Sequence, residues 1–374
     1  MPSSQAGGSS TGMLGMGGAM PSMAGSGGGA GGRAPPIDRD ALYQYILDIV
    51  NPTRRDFALQ ELAKNRDNIV DLAPMLWHSF GTVTALLQEI INIYSYLNPP
   101  TLSVEQSMRV CNALALMQCM ASHKDTRNDF LKAQIPVYVY PFLQTSANVK
   151  QLEFLRLSSL GVIGALVKAE EPEVVGFLIN TEVIPHCLRI MEIGTELAKT
   201  VATFILQKIL IDEHGLQCIC QTYERFQQVY NALNKMVKAQ PSARLLKHII
   251  RCYHRLSEHS KACAAMAVLH PLPTELRDGS FDQLIAEDQS TRKWLPQLVK
   301  NVDTFAQNPA LVQAASAQAQ QQGNNGEGAT ISNILGIKLG NQSAGNNGGT
   351  STPTNSGGGT NSSSAAANIA TSSD

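Results

Sequence analysis

Four apolar segments of this chain line up on one another, and the spacing between them constrains the fold more than any other feature. Residues Ala113 to His123, Ser159 to Glu170 and Val201 to Asp212 are each an apolar run with small residues, closed by a polar turn. Ile249 to Glu258 is a weaker copy that closes the same way, in Leu256-Ser257-Glu258. Taking His123, Glu170, Asp212 and Glu258 as equivalent gives steps of 47, 42 and 46 residues, the period of an armadillo or HEAT repeat. After two of these turns comes a short helical segment and then an apolar-Pro pair, Ile135-Pro136 and Ile184-Pro185. Three helices per unit favours armadillo over HEAT. Such a unit cannot bury its apolar face alone. Stacking supplies the core, and the product is an elongated superhelix with a long groove suited to binding.

From Ile37 to Phe305 apolar residues recur at three and four rather than at two, as in amphipathic helices. The one alternating β-branched run, Val137-Tyr138-Val139-Tyr140, is bracketed by Pro136 and Pro141 and reads as a short helix with aromatic neighbours. Other prolines, such as Pro52, Pro74, Pro172 and Pro241, mark helix starts or the turns before them. Glycine sets the boundaries: 23 of 30 lie in residues 1–36 and 306–374, and those segments carry only Arg33, Glu327, Lys338 and Asp374 as charges. Such composition buries too little apolar surface to offset about 1–2 kcal/mol of backbone entropy per residue. The expected architecture is therefore an all-α, right-handed armadillo-repeat solenoid over residues 37–305. A disordered Gly/Ser/Met-rich head (1–36) and a disordered Gln/Asn/Gly/Ser-rich tail (306–374) flank it. Residues 38–100 and 262–303 are its less regular end units.

The net charge of −1 provides no overall field to recruit nucleic acid or an acidic membrane. The longest apolar runs, such as Leu160 to Val167, fall well short of the roughly 20 residues that span a bilayer. The N-terminal stretch has no charge before Arg33 and no continuous apolar core, so it does not read as a secretory signal. Seven cysteines without regular spacing fit a reducing compartment, cytoplasm or nucleus.

Catalytic constellations do not emerge. The eight histidines are scattered, and neither Cys218 and Cys220 nor Cys111 and Cys119 has a partner at metal-ligand spacing, so they read as small buried hydrophobes. No metal, cofactor or phosphate cradle is expected, and the chain reads as a non-enzyme. Gly161 and Gly164 sit mid-helix, where close helix packing is the simplest reason for them. The acid pairs Glu170-Glu171 and Asp212-Glu213 fall at the turns, where a carboxylate caps the next helix. Two faces have an open functional reading. Arg244, His248, Arg251 and Arg255, with Lys247 adjacent, form a basic stripe after Pro241: a solvated face, or a contact for phosphates or an acidic peptide. Trp77, Phe80, Thr84, Leu87 and Ile91 share one side of an apolar helix in an end unit, which either docks another protein or fills the core against residues 42–62.

Several long strings carry a resemblance. They include Asp71 to Thr82 (DLAPMLWHSFGT), Asn98 to Leu102 (NPPTL), Arg109 to Leu116 (RVCNALAL) and Ser159 to Lys168. Lys199 to Leu210 (KTVATFILQKIL), Gln221 to Phe226 (QTYERF) and Pro241 to His248 (PSARLLKH) complete the set. Together they resemble the Rcd-one family, also called Caf-forty, over about residues 38–303. The resemblance implies an armadillo-repeat, non-nuclease subunit of the Ccr-Not complex, which shortens mRNA poly(A) tails. It implies a contact with the Not scaffold through His78, Phe80, Thr84 and Ile91, where Thr84 replaces the expected Ala and adds a hydroxyl. It implies pockets for tryptophan-bearing segments of silencing proteins that include Tyr223 and Arg225, with Lys261 in place of a further Arg; Lys lacks the planar stacking surface of a guanidinium. A groove including Val201 would take helical peptides of RNA-binding regulators. The family's basic nucleic-acid groove corresponds to Arg244, Lys247, Arg251 and Arg255.

The resulting expectation is an adaptor that brings the deadenylase to chosen transcripts, in the cytoplasm, including processing bodies, and in the nucleus. The alternative is a solenoid that binds single-stranded RNA directly and weakly through its basic groove. Self-association as a homodimer is left open, and no membrane contact is expected. Within the tail, Ala329 to Gly340 is more apolar than its surroundings and reads either as compositional drift or as a short docking motif.

Overall fold

Several helix starts in this chain are set by side chains close in sequence. Ser103 accepts a hydrogen bond from the Gln106 backbone N–H (3.1 Å) while the Gln106 side chain accepts from the Ser103 N–H (3.0 Å), and this reciprocal cap starts a 19-residue helix. Thr222 and Ser242 cap two later helices in the simpler one-bond way. The computed structural model describes residues 38–307, and among these it contains sixteen α-helices, four short 3-10 turns and no strand. The expected head and nearly all of the expected tail, with the Ala329 to Gly340 motif, lie outside the described residues.

Two helices open the chain, α1 (Arg39–Asp48) and α2 (Arg55–Asn65). Four three-helix units follow: α3 (Leu72–His78), α4 (Thr82–Ile91) and α5 (Val104–Ser122); α6 (Lys124–Lys132), α7 (Tyr140–Leu143) and α8 (Lys150–Val167); α9 (Pro172–Asn180), α10 (Val183–Ile193) and α11 (Glu196–Ile211); α12 (Glu213–Cys220), α13 (Tyr223–Lys238) and α14 (Ala243–Ser257). Helices α15 (Ser260–Val268) and α16 (Gln289–Ala306) close the stack. Three helices per unit is the armadillo arrangement. The third helices make the spine, because α2, α5, α8, α11, α14 and α16 each pack on the next. A second row runs parallel to it, α7 to α10 to α13. The buried apolar side chains form one continuous core from Leu42 to Phe305, as stacking of units that are individually open requires.

The structure refines two expectations. The Val137 to Tyr140 run is helical but broken: a 3-10 turn over Ile135–Val139 passes into the single turn of α7 at Tyr140. Of the turn acids, Asp212 does cap, its carboxylate accepting from the Gly215 N–H at 2.9 Å. The others bridge units instead: Glu170 pairs with Lys208, Glu171 with Arg127, and Glu213 with Arg255. Arg127 and Arg255 also donate to the final carbonyls of α5 and α11, so each arginine joins a helix C-terminus to the next unit. The first turn of α12 requires glycine at position 215, because a Cβ there would lie 2.0 Å from the Ile209 carbonyl oxygen.

Candidate interaction surfaces

The first surface lies on α4. Its inner side is buried through Ala85, Leu86, Glu89 and Ile90, so the side bearing Thr84, Gln88 and Ile91 faces outward. Gly81, at φ +79°, turns the chain into this helix and leaves Phe80 just ahead of it, 98% exposed. A left-handed residue at that point suits glycine. His78 and Thr84 are also exposed, and Ile91 is 42% exposed. Trp77 departs from the expected face: it turns inward and packs on Phe130, with ring centroids 6.4 Å apart. The helix thus divides the two readings between its sides, one filling the core and the other exposing Ile91 beside Thr84 and Gln88, with Phe80 just ahead of them. A large apolar side chain in water with no intramolecular cover points to a partner.

Sequence reasoning missed how far this surface extends. Val50, at the end of α1, is 3.4 Å from where a Gly81 Cβ would sit, and with Tyr43 and Leu47 it forms an exposed apolar stripe on α1. On the next unit Val137 and Tyr138 are exposed, tied to the α4 region by a hydrogen bond from the Tyr94 hydroxyl to the Tyr138 carbonyl (2.5 Å). Periodicity could not assign the α1 stripe, since Leu42, Ile46 and Ile49 give an equally good apolar stripe one residue over, and that one is buried.

The second surface is the strip along the third-helix spine. Val201 is half-buried on α11 and lies across Gly164 of α8, where a Cβ would be 3.7 Å from Val201 Cγ1. Leu197, one turn earlier, is exposed, as is Met108 on α5. Gly161 admits the Gln118 side chain of α5, whose Oε1 would be 3.1 Å from an added Cβ. The two mid-helix glycines therefore keep the spine closely packed and its floor low beside Val201.

The third surface surrounds the end of α12 and the start of α13. Tyr223 and Arg225 stand in the first turn of α13 but point to different neighbours. The Tyr223 hydroxyl meets His270 Nε2 at 2.7 Å, whereas Arg225, exposed, donates to the Cys218 carbonyl (3.4 Å) and to Gln221 Oε1 (3.3 Å). Lys261, at the start of α15, flanks the same end of α12: burial pushes the Cys220 thiol up to about 12, and the Lys261 charge acts against that rise. His270 escaped sequence reasoning because it lies beyond α15 in an irregular segment with no periodicity to mark it.

The basic stripe on α14 is largely consumed inside the molecule. Lys247 pairs with Asp288 (3.0 Å), Arg251 lies over the Trp294 ring (4.8 Å to its centroid), and Arg255 pairs with Glu213 and Glu258. Arg244 alone among them is exposed with no ion pair among the described residues. His248 lies among these charges but does not reach solvent. It is buried, edge-on to Phe204 (5.6 Å) and bonded to Gln207 Oε1 (2.6 Å). Burial, with Arg244, Lys247 and Lys208 nearby, pushes its pKa down to about 4, so it is neutral at pH 7. Helical spacing alone places these side chains on one stripe, either solvated or in contact with a ligand, but α11 and α16 cover much of it.

Comparison with known proteins agrees with the sequence strings. The family model described as "Cell differentiation family, Rcd1-like" matches residues 45–302. "Cell differentiation protein rcd1" of Schizosaccharomyces pombe is 54% identical over 276 residues, covering 73% of this chain and 97% of that protein. "Protein CAF40" of Saccharomyces cerevisiae is 47% identical over 272 residues, covering 72% of each. Among solved structures, a designed armadillo repeat protein, YIII(Dq)4CqI, matches 70% of this chain and 99% of its own at a TM-score of 0.47 and 12% identity. On the family match and the identity to these two relatives, the chain belongs to the Rcd1-like cell differentiation family.

Proposed function

We propose that this chain is a non-catalytic adaptor of the Ccr-Not deadenylase, docking on its Not scaffold and capturing peptide motifs of mRNA regulators to promote decay and translational repression. The observation that carries the reading is the outer side of α4, where Phe80 is 98% exposed beside His78, Thr84 and Ile91. Isolated apolar residues are common on protein surfaces, but an aromatic ring fully in water, with Ile91 on the helix behind it and Val50 exposed across Gly81, is the form of a docking surface. Val201, with its shallow apolar floor, and Tyr223 with Arg225 and Lys261, supply two further surfaces for helical and tryptophan-bearing peptides. The three surfaces are built from different helices, which allows them to be occupied together.

Val201→Glu separates them. It should abolish binding of a helical regulator peptide, since a carboxylate would have to be desolvated against the apolar strip, while capture of a Not scaffold fragment persists. Loss of both activities together would refute separate surfaces. The alternative, direct binding of single-stranded RNA, draws on Arg244 and on little else of the α14 stripe, whose other cations are engaged. Titration with single-stranded RNA at several salt concentrations tests it: micromolar affinity with a steep salt slope would favour RNA.

A further inference from the structure

We infer that His270 is a positioning residue for Tyr223, and that the two rings together form a platform for a fused bicyclic aromatic, the indole of a tryptophan side chain. This rests on the tryptophan-capture reading above and assigns the part of that surface that discriminates tryptophan from smaller aromatic residues.

The geometry begins with the two rings. They are within 22° of parallel, their centroids are 5.9 Å apart, and Tyr223 Oη is 2.7 Å from His270 Nε2. Were the planes at a contact spacing of about 3.5 Å, a 5.9 Å centroid separation would still displace them sideways by about 4.7 Å. That is wider than a ring, so neither covers the other. The rings lie side by side rather than face to face, their planes 22° apart, joined at their edges by the hydrogen bond.

His270 is held from the core side. The Tyr230 ring, almost fully buried, is 5.1 Å from it and Phe226 is 6.4 Å away. The Tyr230 hydroxyl donates to the Pro271 carbonyl (2.7 Å), and the His270 backbone N–H donates to Ala265 at the end of α15 (2.9 Å). Tyr223 and His270 themselves are only half-buried. Burial lowers the His270 pKa from its ordinary value, so the ring is neutral near pH 7. With its proton on Nδ1, Nε2 is free to accept from the Tyr223 O–H. A Tyr ring fixed before binding loses less rotamer freedom when a ligand arrives. A phenyl group can cover one ring of this surface, whereas an indole can cover parts of both.

The test uses the full chain and two probes, a short glycine-flanked peptide with one Trp and the same peptide with Phe in its place. His270→Ala should weaken the Trp peptide by about three- to tenfold and the Phe peptide by less, so that the Trp/Phe ratio falls. In a Tyr223→Ala background the same change should have little further effect. Binding of the Val201-dependent helical peptide should not move. His270→Phe guards against misfolding: it keeps an aromatic ring against Tyr230 but removes the acceptor, and should lower Trp affinity with an unaltered melting temperature. An unchanged Trp/Phe ratio in both His270 variants, with the parent chain binding Trp, would overturn the assignment and leave tryptophan capture standing. Failure of the parent chain to bind the Trp peptide would remove both.

Discussion

Glu89 links the hidden side of α4 to the rest of the molecule, and its removal should be costly out of proportion to its size. Its Oε1 accepts from Arg55 Nη1 of α2 (2.8 Å) and Arg109 Nη2 of α5 (2.8 Å), and its Oε2 accepts from Arg109 Nε (2.6 Å). Arg55 also donates to the Ile49 carbonyl (2.6 Å), which ties in the end of α1. Burial alone would raise the Glu89 pKa, but Arg109 and Arg55 outweigh it and hold the carboxyl below its ordinary value of 4.5. In Glu89→Leu, Arg55, itself 7% exposed, is left buried without a counter-ion. Stranding one member of a buried pair costs about 3–5 kcal/mol; Arg109, about one-third exposed, can rehydrate and adds little. For a folded region of this size that is roughly a 6–20 °C fall in melting temperature. Thermal and urea unfolding followed by circular dichroism would measure it, with scaffold-fragment binding falling in parallel as α4 loosens. Adding Arg55→Met removes the stranded charge and should recover most of the loss. The sign with pH is determined too: because the folded pKa is depressed, this stabilisation is complete above about 4.5 and lost as pH falls through the folded value. A loss under about 1 kcal/mol in the single variant, or a double variant no more stable than the single, would refute the reasoning.

Phe80→Ala should alter stability by no more than about 0.5 kcal/mol, since the ring is already in water, yet weaken scaffold binding at least about tenfold by titration. Gly215→Ala should destabilise by at least about 2 kcal/mol in urea unfolding, despite the better helix propensity of Ala, because its Cβ would collide with the Ile209 carbonyl. His248 should titrate by NMR with a midpoint of about 4. With the folded value depressed below 6.5, the stability it supports is complete above that pH and drains away towards about 4. Arg244→Glu should leave the melting temperature unchanged, whereas Arg255→Glu should lower it, because only Arg255 bonds the end of α11 and pairs across the turn.

The repeat was legible because its cause is local. Each unit needs apolar residues at helical spacing and a polar turn to close it, and both are written along the chain at His123, Glu170, Asp212 and Glu258. Helix caps such as Ser103 with Gln106 are likewise settled within four residues. The candidate surfaces were legible chiefly through the strings resembling a family, not through spacing. Spacing groups Trp77 and His248 with exposed neighbours, although Trp77 packs on Phe130 and His248 is buried. It also could not choose between the two apolar stripes of α1.

The sequence by itself therefore determined that the folded chain is helical, where its repeating units close, and which family it belongs to. Only the tertiary structure decided which face of each helix meets water. It turned the α14 cations inward to Asp288, Trp294, Glu213 and Glu258, put Phe80 outside, and brought His270 to Tyr223 across 47 residues of sequence. The physical reason is that periodicity fixes directions around one helix axis, whereas exposure depends on which other helices stack against that axis.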